Sequence, residues 1–178
     1  MDLKKIVKTK LPPVLLIVLA VVLDQWTKAL AVAHLKPIYT VPIIKDIFHF
    51  TYATNRGAAF SMLADHPWVF MLVSAVAIVG MTCYLLAGKG LSAFVRYPLA
   101  AVIGGGIGNM IDRVRLEYVI DMIDFCAFPK LWMWIFNFAD ACVCVGAGIL
   151  FVWLIASMIS EAKQEKAKKQ EENGEEDV

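Results

Sequence analysis

Two carboxylates, Asp121 and Asp140, stand 19 residues apart in a chain of 178. A pair of acids is the smallest set of side chains that can cut a peptide with water and no metal. One, ionised, takes a proton from water. The other, protonated, polarises the scissile carbonyl. Like charges a few ångströms apart cannot both ionise, so a close pair divides these two roles. A separation of 19 residues requires two different elements to carry the acids. Asp112 and Asp124 are rival partners on sequence alone.

Other polar residues interrupt apolar surroundings, where ionisable groups are expensive and often functional. Asp24 and Lys28 are spaced i, i+4 and share one helix face, so they can pair. Two roles fit them equally: an ion pair that fixes the depth of a helix, or part of the site. Asn109, Asp112 and Arg113 share another face, downstream of Gly104-Gly105-Gly106-Ile107-Gly108. Gly104 and Gly108 make a GxxxG, which allows close helix approach. Arg113 can clamp a carboxylate with two parallel hydrogen bonds. For Asp112 and Arg113 a structural salt bridge is the simpler expectation. Asn137 and Asp140 are spaced i, i+3 at the start of an apolar run. Alone, Asp140 reads as a charge favoured by the helix dipole; beside Asp121 it becomes half of an acid pair.

Other chemistries lack their parts. The histidines, His34, His49 and His66, form no HExxH and read as surface or interfacial residues. No serine lies in GxSxG. The glycine run is not a dinucleotide fingerprint, because Asn109 stands where the last glycine would fall. Cys83, Cys126, Cys142 and Cys144 contain no CxxC, so neither zinc nor a disulfide framework is expected. No metal and no cofactor is expected.

The composition says what must hold these residues. The chain is 60% hydrophobic and 19% charged, with mean hydropathy +0.66. A soluble domain is nearer 45–50% apolar and about 25% charged. The net charge of +1 shows no basic face, so nucleic acid is not an expected partner. Four apolar stretches stand out, and a crossing needs roughly 20 residues. The first runs from Leu11 to about Leu35, interrupted at Asp24 and Lys28; the second is Val69 to Ala87. The third is Tyr97 to Ile111, and the fourth is Ala141 to Ser160, with Trp132, Trp134 and Phe136 before it. The interruption at Asp24 and Lys28, with no clean small-residue cleavage site, favours an uncleaved first helix over a leader.

Ten of the 17 Lys and Arg flank the two ends of the chain and the short connection at Lys89 and Arg96. The positive-inside rule then puts both termini in the cytoplasm and the two longer loops outside. Between Lys36 and Thr54, Pro37 and Pro42 stop a helix while Ile, Val, Phe and Tyr favour strands. A small β-element near 36–60 is expected at the outer surface. Residues 161–178 are nearly all Glu, Lys, Gln and Asp and read as a charged cytoplasmic tail, a frayed helix end passing into disorder. Residues 1–160 then form a single transmembrane domain. Intramembrane acids also occur along ion or proton paths, and polar residues can serve only to pair helices. A small transporter and a structural scaffold therefore stand beside the hydrolase reading.

Five blocks, in order and suitably spaced, carry a resemblance. They are Leu23-Asp24-Gln25-Trp26-Thr27-Lys28, Asn55-Arg56-Gly57-Ala58-Ala59-Phe60-Ser61, Gly108-Asn109-Met110-Ile111-Asp112-Arg113, Tyr118-Val119-Ile120-Asp121 and Phe136-Asn137-Phe138-Ala139-Asp140. Over residues 12–160 the chain resembles the lipoprotein signal peptidases, or signal peptidases II, a bacterial family of intramembrane aspartyl proteases. The resemblance implies four transmembrane helices with a small extracytoplasmic β-cradle in the cytoplasmic membrane. It implies diacylglyceryl-modified prolipoproteins as substrates, cleaved just before the lipidated cysteine, with membrane lipids as surroundings. It assigns catalysis to Asp121 and Asp140, and bracing or substrate contact to Asn55, Asn109, Arg113 and Asn137. Asp24 and Asp112 map onto supporting carboxylates, and Lys28 falls in the same block as Asp24. The β-element with Asn55 and Phe60 is expected to cap the site against bulk water. In one departure, Glu117 precedes Tyr118 where many members have glycine.

Overall fold

The computed structural model describes residues 3–56, 67–127 and 134–176. The end of the expected β-element at 57–60, including Phe60, lies outside the described residues. So do the rest of the Gly57–Ser61 block, His66, Lys130 and Trp132. Four long helices are present: α1 (Leu3–Leu30), α2 (Pro67–Ala87), α3 (Ala93–Leu116) and α4 (Phe138–Glu176). A π-helical turn, Ala31–Leu35, continues α1. Each expected apolar stretch falls within one of these helices, the first together with the π-helical turn. By length and composition two of them can cross a membrane: Val7–Leu35, with mean hydropathy 1.8, and Phe138–Lys166, with 2.5. Met71–Ala87 is apolar but shorter. In α4 only 6% of the apolar window is buried, so its large side chains face outward. That is the reverse of a soluble core helix, and lipid is the surrounding that tolerates it.

The third helix is the hub, packed against α1, α2 and α4. Its glycines permit this. A Cβ at Gly104 would stand 2.7 Å from the Ala20 Cβ on α1. A Cβ at Gly105 would collide with the Ala139 carbonyl on α4, and one at Gly106 would lie 3.1 Å from Ile78 on α2. Bare backbone on three consecutive positions lets three helices reach one. The Gly104/Gly108 pair forms the α1 seam, because Gly108 faces Asp24. Leu85, Leu99, Ala100 and Ile103 make the buried core of the bundle.

The β-element is larger than the sequence suggests. β1 (Thr40–Ile44) and β2 (Phe48–Asn55) form the expected hairpin. Two further strands, β3 (Val119–Phe125) and β4 (Ile135–Phe136), complete an antiparallel sheet in the order β1-β2-β3-β4. β2 pairs with β3 so that Ala53 stands opposite Asp121, and the register shifts between Phe50 and Ala53. Such a bulge bends the strand and re-aims side chains beside a site. Ala31, Tyr52, Ile120 and Met122 form a second small core beneath the sheet.

Two local features bear on the sequence reading. α4 continues through Glu176 into the charged segment read as a frayed end and disorder. Glu, Lys, Gln and Ala are all good helix formers, so local preference favours continuing the helix. At the end of α3, Glu117 adopts the left-handed conformation, φ 66° and ψ 9°, and its N–H donates to the Arg113 carbonyl. This is the helix-ending position that favours glycine, and Glu117 adopts it without one.

Candidate active site

Asp140 is placed by the start of α4. Asn137 precedes the helix, and its Oδ1 accepts the Asp140 N–H at 2.9 Å. The Asp140 Oδ2 accepts the Asn137 N–H in return at 3.2 Å. This reciprocal pair is a capping box, with Asn and Asp filling its two positions. It occupies two of the N–H groups that a helix start leaves without partners. A third, the Ala139 N–H, donates to Asp24 Oδ1 at 3.0 Å, tying α4 to α1. The sequence Asn-Phe-Ala-Asp thus starts a helix and aims a carboxylate with the same bonds.

Asp121 is placed by β3, where it is only 2% exposed. The Asn137 Nδ2 donates to Asp121 Oδ1 at 2.6 Å and also lies 3.3 Å from the Ile120 carbonyl. Asn55, the last residue of β2, is a second side chain hydrogen-bonded to Asp121. Asn109 closes the link from α3. Its Nδ2 donates to Asp140 Oδ1 at 2.7 Å, and its Oδ1 accepts from Asn137 Nδ2 at 3.1 Å. The two acids are therefore joined through two amides that contact each other. Burial, and then the charge of Asp140, push the Asp121 carboxyl up to about 6; Asn137, Asn55 and Lys28 oppose that rise.

Beneath this lies a buried ion cluster. Lys28 Nζ is 2.8 Å from Asp24 Oδ2 and 3.0 Å from Asp112 Oδ2, and it donates to Asn109 Oδ1 at 2.9 Å. Buried charges persist only when paired and fully hydrogen-bonded. Asp112 Oδ2 also accepts the Ile120 N–H at 3.1 Å, which fixes the start of β3 to α3. Gln25 completes the cluster, donating to Asp112 Oδ1 at 2.9 Å, Asp24 Oδ2 at 3.2 Å and the Gly108 carbonyl at 3.2 Å. Arg113 Nη1 donates to the Asn109 carbonyl at 3.3 Å and lies within electrostatic reach of Asp140, Asp121 and Asp112.

Asp24, Lys28, Asn55, Asn109, Asp112, Arg113, Asp121, Asn137 and Asp140 thus meet in one network. Three details sharpen the sequence reading. Asp24 and Lys28, for which two roles are open, are bonded into the network through the Ala139 N–H and Asn109. Asp112 forms an ion pair with Lys28 and is within electrostatic reach of its chain neighbour Arg113. Asp124, the other rival acid, is engaged by the Thr51 hydroxyl at 2.8 Å. Gln25 was not singled out as a site residue. Its signal was its place beside Asp24 as a second polar residue in the same apolar helix. Among the described residues no group of three or more His, Cys, Asp or Glu is arranged to hold a metal.

Fold and site together define a helical membrane protein in which a small sheet and a helix start bring two acids to one amide pair. The family model for signal peptidase (SPase) II matches residues 16–156. The lipoprotein signal peptidase of Caldanaerobacter subterraneus subsp. tengcongensis is 44% identical over 77% of this chain and 91% of its own length. That of Clostridioides difficile is 39% identical over 80% of this chain and 93% of its own. Two solved bacterial membrane enzymes share the fold. One has a TM-score of 0.74 at 24% identity, over 83% of this chain and 89% of that one. The other has 0.72 at 25% identity, over 80% and 92%. The chain belongs to the signal peptidase II family. It is a membrane protease of that family.

Proposed function

We propose that this protease removes signal peptides from lipid-modified prolipoproteins, cutting just before the diacylglyceryl-bearing cysteine, with Asp121 and Asp140 jointly activating water. The observation that carries the reading is the pair of amides, Asn137 and Asn109, that ties the two carboxylates together. Burial of Asp121 beside a second carboxylate favours one proton shared by the pair. The ionised member takes a proton from water, the protonated member hydrogen-bonds the scissile carbonyl, and Arg113 faces the charge that develops. A lipidated substrate reaches such a site sideways through the bilayer. In this reading residues 1–160 cross the bacterial cytoplasmic membrane four times, both termini are cytoplasmic, and the sheet caps the site at the outer face.

The test uses full-length protein in detergent with a lipidated prolipoprotein. Asp121→Asn and Asp140→Asn should each abolish cleavage while the thermal transition is retained. Sustained turnover by either variant rejects the dyad. Chelation with EDTA should leave turnover unchanged, because two carboxyls and water suffice.

A further inference from the structure

The amide polarities in the site are not free choices; donor-only groups set them, Lys28 at Asn109 and the Asp140 backbone N–H at Asn137. An ammonium group can only donate. Lys28 Nζ, 2.9 Å from Asn109, therefore requires the Asn109 Oδ1 to face it. The Asn109 Nδ2 is then turned to Asp140 Oδ1, at 2.7 Å, as a donor. A backbone N–H also can only donate. The Asp140 N–H fixes Asn137 Oδ1 in the same way, and the Asn137 N–H faces Asp140 Oδ2 at 3.2 Å. Both Asp140 oxygens accept from a fixed donor, which favours the ionised form. Asp140 also lies in the first turn of α4, where the helix dipole favours negative charge.

Asp121 differs. It is 2% exposed on a strand, with no helix start behind it. Asn137 Nδ2 occupies its Oδ1. Its side-chain partners are the amides of Asn137 and Asn55, whereas Asp140 also accepts a backbone N–H.

We infer that Lys28 is a positioning residue that, through the amide of Asn109, fixes Asp140 as the ionised acceptor and leaves the proton of the pair on Asp121. Lys28 touches neither carboxylate of the pair in this arrangement; together with Asn137 Nδ2, which donates to the same Asn109 Oδ1 at 3.1 Å, it denies Asn109 its other orientation. Asp140 is then the base that takes a proton from water, and Asp121 is the acid toward the scissile carbonyl. The groups that face this chain of bonds are Asp24 and Lys28 from α1, Asp112 and Arg113 from α3, Asp121 from β3 and Asp140 from α4. No charged residue comes from α2. The inference rests on the acid-pair reading above.

Two measurements on the full-length enzyme test it. The first needs no change at Lys28. Protein labelled with carboxyl-13C aspartate is titrated by NMR, and signals are assigned by loss in Asp121→Asn and in Asp140→Asn. The carboxyl of the pair that keeps its proton to the higher pH should be Asp121. Assignment of that signal to Asp140 overturns the inference. The second compares Lys28→Met with Lys28→Arg. Lys28→Met should lower kcat about 100-fold, the scale of one acid–base role, with KM little changed and the pH–rate profile displaced. Lys28→Arg keeps a donor-only cation and should recover most of the loss with the wild-type profile. An unaltered profile in folded Lys28→Met, or no recovery by Arg, also overturns it. If Lys28→Met does not fold, the titration decides. Active Asp121→Asn or Asp140→Asn would instead remove the acid pair itself, a separate failure.

Discussion

The side-chain amide of Asn137 spans the two acids: its Nδ2 donates to Asp121 Oδ1 at 2.6 Å while its Oδ1 accepts the Asp140 N–H at 2.9 Å. One residue thus starts α4 and holds the strand carboxylate against it. Removing the amide separates the acids and uncaps the helix together. Asn137→Ala should lower kcat by about 100-fold, as expected when a positioned acid–base pair is disturbed. It should also cost about 1–2 kcal/mol of stability, the usual value of a lost cap. Asn137→Ser keeps a capping oxygen but not the Nδ2 donor. It should recover stability and not rate. Thermal unfolding in detergent beside steady-state cleavage checks both halves.

Burial makes Asp121 a pH-dependent burden on the fold. Its carboxyl is raised from 3.8 to about 6 by burial and by Asp140. A raised carboxyl is better tolerated protonated in the folded state than ionised. The folded protein therefore loses stability as pH climbs from about 4 to about 6, and the full cost persists above that window. A shift of about two units corresponds to about 3 kcal/mol. Asp121→Asn removes the charge, so it should stabilise the fold at pH 7 by up to that amount and give no gain at pH 4. Melting temperatures of the two proteins at both pH values check this. An equal gain at both would show that burial of the charge is not the cause.

The same value sets the alkaline limb of activity. On the proposed mechanism the site needs one proton on the acid pair, and burial and Asp140 raise the Asp121 carboxyl to about 6. The limb of kcat/KM reports groups of the free enzyme. It should fall about tenfold per pH unit above the macroscopic value of the pair, while the limb of kcat lies higher because bound substrate excludes more water. Coincident limbs would show that substrate does not desolvate the pair.

Much of the site was legible because each cluster obeys a local spacing rule. Asp24 and Lys28 share a face at i, i+4, and Asn137 and Asp140 at i, i+3. Both spacings describe one helix turn, and both are realised. The meeting of Asp121 with Asp140 was not legible from spacing, because it is made by pairing between distant segments. β3 was missed for a related reason. Val119-Ile120-Asp121-Met122-Ile123-Asp124-Phe125 does not alternate strictly, since β3 is covered on both sides near Asp121. A bulge in β2 opposite Asp121 further breaks the period of two. The ion pair of Asp112 with Lys28 was not legible, because a lysine 84 positions earlier gives no local signal. The number of membrane crossings is hard to read from apolarity alone. The glycines that make α3 a packing hub also lower its hydropathy.

Those glycines give a paired prediction. A methyl at Gly105 would meet the Ala139 carbonyl, which is backbone and cannot turn aside. Ala139 is also bonded to Asp24 and stands beside Asp140. Gly105→Ala should therefore cost about 1–3 kcal/mol, as overpacking does, and should lower activity by tilting the start of α4. Gly80 on α2 has nothing within 4 Å of its added methyl. Gly80→Ala should gain about 1 kcal/mol from helix propensity with activity unchanged. Equal effects at the two sites would mean that helix propensity, and not contact, decides the outcome.

Glu117 marks the sharpest local strain near the site. It ends α3 with φ 66°, four residues before Asp121, and its side chain is exposed. A non-glycine residue in the left-handed region costs about 1–2 kcal/mol, and glycine is free of that penalty although it loses more chain entropy on folding. No described hydrogen bond of the site runs through the Glu117 side chain; its backbone N–H bond to Arg113 survives substitution. Glu117→Gly should therefore raise stability by about 1 kcal/mol, while Glu117→Val, branched at Cβ, should lower it. Neither change moves Asp112, whose bond to the Ile120 N–H sets where β3 begins, so kcat should stay near wild type in Glu117→Gly. Thermal scans of the three proteins beside one cleavage assay decide it. Destabilisation by glycine would mean that the exposed carboxylate, and not the backbone, holds this turn.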